Sequence, residues 1–188
     1  MRMRTMTWLL AWFTLFAGNL AMMAETMVVD RARSQITVAV VSTLHNFTGN
    51  LTNYQVKIQC DTNEVLPYVA DVTFDFKDLK TGDPDRDKDM LKWLGYPTNS
   101  AVVFNLTGWK RDGTNTTAKG EMTMHGVKKP VEILVTVTTD HDNYDIVGSM
   151  QLDYRDFGLP VIRKMMMLKV DPQVTVRFHL AGKLEGNK

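Results

Sequence analysis

The feature that most constrains this chain is alternation. Ala70, Val72, Phe74 and Phe76 are separated by Asp71, Thr73 and Asp75. Val131, Ile133, Val135 and Val137 alternate with Glu132, Leu134, Thr136 and Thr138. Ile146, Gly148, Met150 and Leu152 alternate with Val147, Ser149 and Gln151, and Val174, Val176, Phe178 and Leu180 with Thr175, Arg177 and His179. Successive side chains of a strand point to opposite faces, so each run carries one apolar face and one mostly polar face. Weaker runs at 36–41, 51–58, 102–107 and 117–124 bring the expectation to about eight strands. The separators, such as Arg111-Asp112-Gly113-Thr114-Asn115 and Thr139-Asp140-His141-Asp142-Asn143, are short and turn-rich, which suits antiparallel hairpins.

A long antiparallel sheet with one apolar face has to bury that face. Closing into an eight-stranded antiparallel β-barrel does so and removes the sheet edges; a two-sheet sandwich is the alternative. One short helix is predicted over residues 83–94. Asp83 serves as N-cap, Pro84 takes the first helical position, and Asp85 and Asp87 lie at the positive end of the dipole. Met90, Leu91, Trp93 and Leu94 give it an apolar side, and Gly95 and Pro97 end it. The inward set predicted for the barrel is Val38, Tyr54, Val56, Ile58, Val72, Phe74, Phe104, Met122, Met124, Ile133, Val135, Met150, Val176 and Phe178. A barrel of this size either fills its interior with such side chains or keeps room for one small ligand. A cavity walled by this set would take a hydrophobe. Alternation does not choose between the two.

Composition narrows the function classes. With 188 residues, 44% of them hydrophobic and 23% charged, the chain is an ordinary globular one. Its formal net charge of +1 lacks the basic excess of a nucleic-acid binder. Residues 1–24 read as a secretory signal peptide: Arg2 and Arg4, then the apolar stretch Trp8 to Ala17, then small residues ending at Ala24. That stretch falls short of the ~20 apolar residues of a membrane span. The expected cleavage follows Ala24, with Ala21 second, leaving residues 25–188 as a single periplasmic or secreted domain. No Cys follows either position to accept a lipid anchor. Cys60 is the only cysteine, so no internal disulfide can form, and a small packed apolar residue is the expected role.

Chemical motifs are few. His45, His125, His141 and His179 form no metal-ligand spacing. The run from Asp83 to Asp89 fails as a calcium loop, because its sixth and twelfth positions are Lys88 and Leu94. Asp156-Phe157-Gly158 lacks every other kinase signature. No nucleophile elbow or catalytic triad is visible, so neither a cofactor, a metal nor catalysis is expected.

At Gly120-Glu121-Met122-Thr123-Met124-His125-Gly126-Val127-Lys128-Lys129-Pro130-Val131 the chain resembles the central hairpin of the YceI-like family. Further segments resemble that family in order. They are Asp30 to Val40 with Ser34 and Ile36, Leu44-His45-Asn46-Phe47-Thr48-Gly49, Arg86-Asp87 with Met90-Leu91, Tyr96-Pro97 with Phe104, and Tyr154 to Leu159. Departures occur at Val38, where an aromatic is usual, and at Arg155, which directly precedes Asp156. The resemblance spans about Met27 to Leu184. It implies a lipocalin-like barrel that binds a long isoprenoid, a quinone-like molecule or another lipid amphiphile in an apolar channel.

The reading that follows is a non-catalytic carrier. All of the inward set except Ile58 and Met124 would wall the channel, and His45, Arg155, Asp156 and Met166 would stand at its mouth near the headgroup. Met165-Met166-Met167 lies in a loop before the last strand. As an exposed apolar patch it would serve a homodimer or transient membrane contact. The alternative is a filled barrel acting as an interaction module.

Overall fold

A computed structural model describes residues 24–61, 64–164 and 168–186. Residues 1–23 of the expected signal peptide and Met166 lie outside the described residues. The strands are β1 (Ala24–Val29), β2 (Gln35–Ser42), β3 (Phe47–Leu51), β4 (Gln55–Asp61), β5 (Val69–Asp75), β6 (Leu79–Lys80), β7 (Ala101–Asp112), β8 (Asn115–Met124), β9 (Val127–Asp140), β10 (Asn143–Asp153), β11 (Arg163–Lys164) and β12 (Leu168–Gly186). The one α-helix among the described residues, α1, is Pro84–Trp93.

All pairings are antiparallel, and they resolve into eight staves. β12 pairs β10 along one side; along the other it pairs β2 and then β1. β1 with β2, β3 with β4, and β5 with β6 are each one stave interrupted by a bend. β2 pairs β3 and β1 pairs β4, while β3 pairs β6 and β4 pairs β5. The rest is a meander of next neighbours from β5 through β7, β8, β9 and β10. The pairing of β1 with β12 closes the ring, so this is an eight-stranded antiparallel β-barrel.

The bends are matched. Thr52 donates both its amide and its hydroxyl to the Asp78 carbonyl, at 2.9 Å each. This bond ties the break in β3–β4 to the short 3-10 turn Phe76–Asp78 between β5 and β6. Each bend is local, so the barrel stays closed around it.

The alternating faces fall as the pattern requires. On β10, Tyr144, Ile146, Met150 and Leu152 are buried, while Val147 is exposed. Gly148 belongs to the inward row because the Phe178 ring lies against it: a Cβ there would come within 2.2 Å of that ring. The ring therefore occupies space that a side chain at 148 would take.

The helix is capped as its sequence predicts. The Asp83 carboxylate accepts the amides of Asp85 at 3.0 Å and Arg86 at 3.1 Å. Arg86 donates to the Thr81 hydroxyl at 2.9 Å and carbonyl at 3.0 Å, and Asp87 accepts from the Thr81 amide and hydroxyl. The Arg-Asp pair of the helix therefore pins the preceding loop. The β8–β9 hairpin turns at His125 (φ 50°) and Gly126 (φ 75°), the left-handed pair that fits strand twist. The His125 ring reaches the Phe157 carbonyl at 3.3 Å.

Candidate functional site

The interior is not filled. Two chambers lie end to end along the barrel. The outer has a volume of about 500 Å³ and lies at the end that carries α1. The inner has about 110 Å³ and lies toward the opposite end. The outer volume sits within the ~300–1,000 Å³ typical of small-molecule sites, and the inner falls below it.

Apolar side chains from the alternating runs wall both. Val72, Phe104, Ile133, Val135 and Phe178 border the inner chamber, and Val38 borders the outer. Phe74, Met122, Met150 and Val176 border both. These ten of the twelve residues expected to wall a channel are therefore brought together. Tyr54 and Val56 are not. Tyr54 lies just before β4, at the break in its stave, with the Arg31 guanidinium 4.0 Å above its ring and donating to its carbonyl. Its hydroxyl is buried without a hydrogen-bond partner among the described residues. Val56 packs against the core without bordering a chamber.

The outer chamber opens between the 42–47 turn and α1. Leu44, His45, Asp83 and Asp85 border it and are exposed. His45 thus stands at the mouth. Arg155 and Asp156 do not, which corrects their expected place. The 3-10 turn Tyr154–Phe157 sends Tyr154 and Phe157 into the core and the two residues between them into solvent. Arg155 grips Asp153 instead, its Nε 2.9 and 3.1 Å from the two carboxylate oxygens. Gln173 adds a bond at 3.0 Å. Hydrogen bonding from Arg155 holds the Asp153 carboxyl below the usual carboxylate range.

Sequence reasoning missed other mouth residues. Phe47, Met90, Trp93, Tyr154 and Ile162 all border the outer chamber. Trp93 packs edge-on to Tyr154 at 5.1 Å and donates to the Pro160 carbonyl at 3.1 Å. The apolar side of the helix carried the signal, but not the surface it would face. Arg86 lies over the Phe47 ring at 4.5 Å with two of its donors spent on Thr81.

The other end is sealed. Pro67 is fully buried and borders the inner chamber, with its carbonyl accepting the Trp109 indole N–H at 2.7 Å. Tyr144 donates to the Glu64 carbonyl at 3.5 Å. Cys60 is wholly buried beside Tyr144, and burial pushes its thiol up. The Tyr144 hydroxyl is likewise pushed up, to about 12, first by burial and then by Cys60. Among the described residues no group of three or more His, Cys, Asp or Glu is placed to hold a metal ion. No described helix is long and apolar enough to cross a membrane.

A family model for the YceI-like domain matches residues 27–181. No curated protein matches the chain. Solved structures do. Burkholderia cenocepacia BcnA aligns over 83% of this chain and 100% of its own, with TM-score 0.72 and 18% identity. A polyisoprenoid binding domain from Saccharophagus degradans, implicated in plant cell wall breakdown, aligns over 88% and 99%, with TM-score 0.65 and 15% identity. A Campylobacter jejuni YCEI protein aligns over 77% and 87%, with TM-score 0.61 and 16% identity. At such identities the likeness is one of fold.

Proposed function

The chain belongs to the YceI-like family, and from that premise we propose that it binds a long-tailed isoprenoid or similar amphiphile. The tail lies in the barrel and the headgroup at the mouth beside α1. One observation carries this reading: an apolar chamber of about 500 Å³ with a single polar rim. Apolar surface moved from water into such a chamber contributes ~25 cal/mol per Å² before the costs of ordering. The Saccharophagus degradans relative, described as polyisoprenoid-binding, supports the same ligand class.

The rim favours an uncharged headgroup, an alcohol or a quinone-like ring, over a phosphate. The helix N-terminal amides that would hold an anion are taken by Asp83, and the Arg86 guanidinium is engaged with Thr81 and Phe47. Asp85 adds an exposed carboxylate to that rim. The exposed imidazole of His45 is the group we assign to the headgroup. Transport after export through the N-terminal segment completes the proposal.

Organic extraction of the purified protein followed by mass spectrometry tests it. A stoichiometric isoprenoid, quinone or lipid is expected. An empty extract, together with no uptake of added prenyl alcohols, overturns it.

A further inference from the structure

The two chambers share a belt of six residues: Ile36, Phe74, Val102, Met122, Met150 and Val176. Each comes from a different strand, β2, β5, β7, β8, β10 and β12 in turn. Two pairs are direct cross-strand neighbours, Phe74 with Val102 and Met150 with Val176. The belt is therefore a ring around most of the barrel at one level, and it divides one interior into two.

The ring has a stiff half and a soft half. Ile36, Val102 and Val176 are β-branched and fixed at χ1. Met122 and Met150 are unbranched, with three rotatable bonds each, and adapt to irregular space. Phe74 stands edge-on to Phe76, with ring centroids 6.3 Å apart. Beyond the ring the inner chamber holds about 110 Å³, the share of roughly four water molecules. It is dry in character, since every lining side chain is apolar apart from the Trp109 N–H, which is spent on Pro67. It is too small to hold a prenyl chain alone, but it can receive the end of a chain seated in the outer chamber.

We propose that Met122 and Met150, with Phe74, are a gate that sets the length of tail the barrel accepts. This rests on the ligand-binding reading above. A short tail stops at the ring. A longer one turns the two methionine side chains aside and extends until it meets Pro67, so ring and plug are two successive stops. Each methylene buried beyond the ring is worth about a fourfold gain in affinity. Binding strength therefore rises in a second step once the tail outgrows the outer chamber.

The test uses the full chain and a series of prenyl alcohols of increasing length, from geraniol to solanesol, with affinity measured for each. Met150→Phe narrows the ring. It is expected to weaken the longer alcohols by about tenfold or more relative to geraniol. The double variant Met122→Ala with Met150→Ala opens the ring and is expected to strengthen the longer alcohols relative to geraniol. The two changes alter packing in opposite senses, so failure of one to fold leaves the other to decide. Equal changes at every length in the folded variants, or none, overturn the gate while leaving the binding reading intact. A wild-type chain that takes up no alcohol of any length overturns both.

Discussion

The two ends of the barrel are built from the same alternating strands and do opposite things. At the inner end β7 meets β8 and β9 meets β10 through short turns, and Pro67 is tucked in as a plug. Pro67 is held by Trp109 at 2.7 Å, and Cys60 packs beside Tyr144 with no exposed surface. At the outer end the corresponding space is left open. α1 and the 154–162 segment stand around it, fixed by polar bonds that turn away from the chamber: Arg86 to Thr81, Trp93 to Pro160, Arg155 to Asp153. Sealing thus depends on side chains directed inward, and opening on side chains tied down elsewhere. The same residue type, tryptophan, serves both ends. Trp109 closes one and Trp93 borders the mouth of the other.

The contrast is broken most severely at the sealed end. Trp109→Ala removes a large ring from the inner wall and leaves the Pro67 carbonyl without its donor. We expect a loss of about 3 kcal/mol, read as a lower urea midpoint with an unchanged slope. Loss of less than about 1 kcal/mol would mean that the plug holds without its pin. The next largest effect falls on the ring between the chambers. Phe74→Arg places a charge where both cavities meet, and we expect uptake of any prenyl alcohol to fall by about 100-fold or more. Retained binding in the folded variant would remove the barrel interior from the ligand's path.

The end of the barrel that seals itself was the more legible of the two. β10 and the facing part of β12 keep one phase, so Ile146, Met150, Val176 and Phe178 could be placed inward from alternation alone. β7 does not: its register shifts between Leu106 and Gly108, and Leu106 and Trp109 both line the inner chamber. The broken staves change phase. Leu51 is buried at an odd position and Ile58 and Cys60 at even ones, because Thr52–Tyr54 adds a residue at the bend. A run read straight through 51–58 cannot carry that shift. The bend is also why Tyr54, correctly read as buried, sits under Arg31 away from both chambers. Nor could alternation decide between a filled and an open barrel. That depends on where rings such as Phe178 lie, and Phe178 lies against the wall at Gly148, where there is no side chain. The Arg155-Asp156 motif was visible, but a 3-10 turn does not follow strand parity, so its two charges face outward and only Tyr154 and Phe157 turn in.

A smaller effect is expected at the mouth. Trp93→Ala loses the edge-on contact with Tyr154 and one hydrogen bond, about 1–2 kcal/mol in all. Uptake should fall with it, since this ring borders the outer chamber. If Trp93→Ala were to cost more stability than Trp109→Ala, the assignment of sealing to one end and access to the other would be reversed.

The smallest effect sharpens the same point at Arg155, the charge displaced from the mouth. Its hydrogen bonds hold the Asp153 carboxyl below the ordinary carboxylate value of about 3.9. A carboxyl lowered in the folded state binds its proton more readily when unfolded. Its stabilisation is therefore complete above about pH 4 and is lost as pH falls through the lowered folded value. Melting measured downward from pH 4 should show this as a decline of a few degrees at most, because the Arg155 guanidinium is more than half exposed and its charge is screened. Arg155→Ala should flatten that part of the decline and leave prenyl alcohol affinity at neutral pH unchanged. A tenfold loss of affinity in Arg155→Ala would instead return this guanidinium to the headgroup, in conflict with the outward turn of residues 155 and 156.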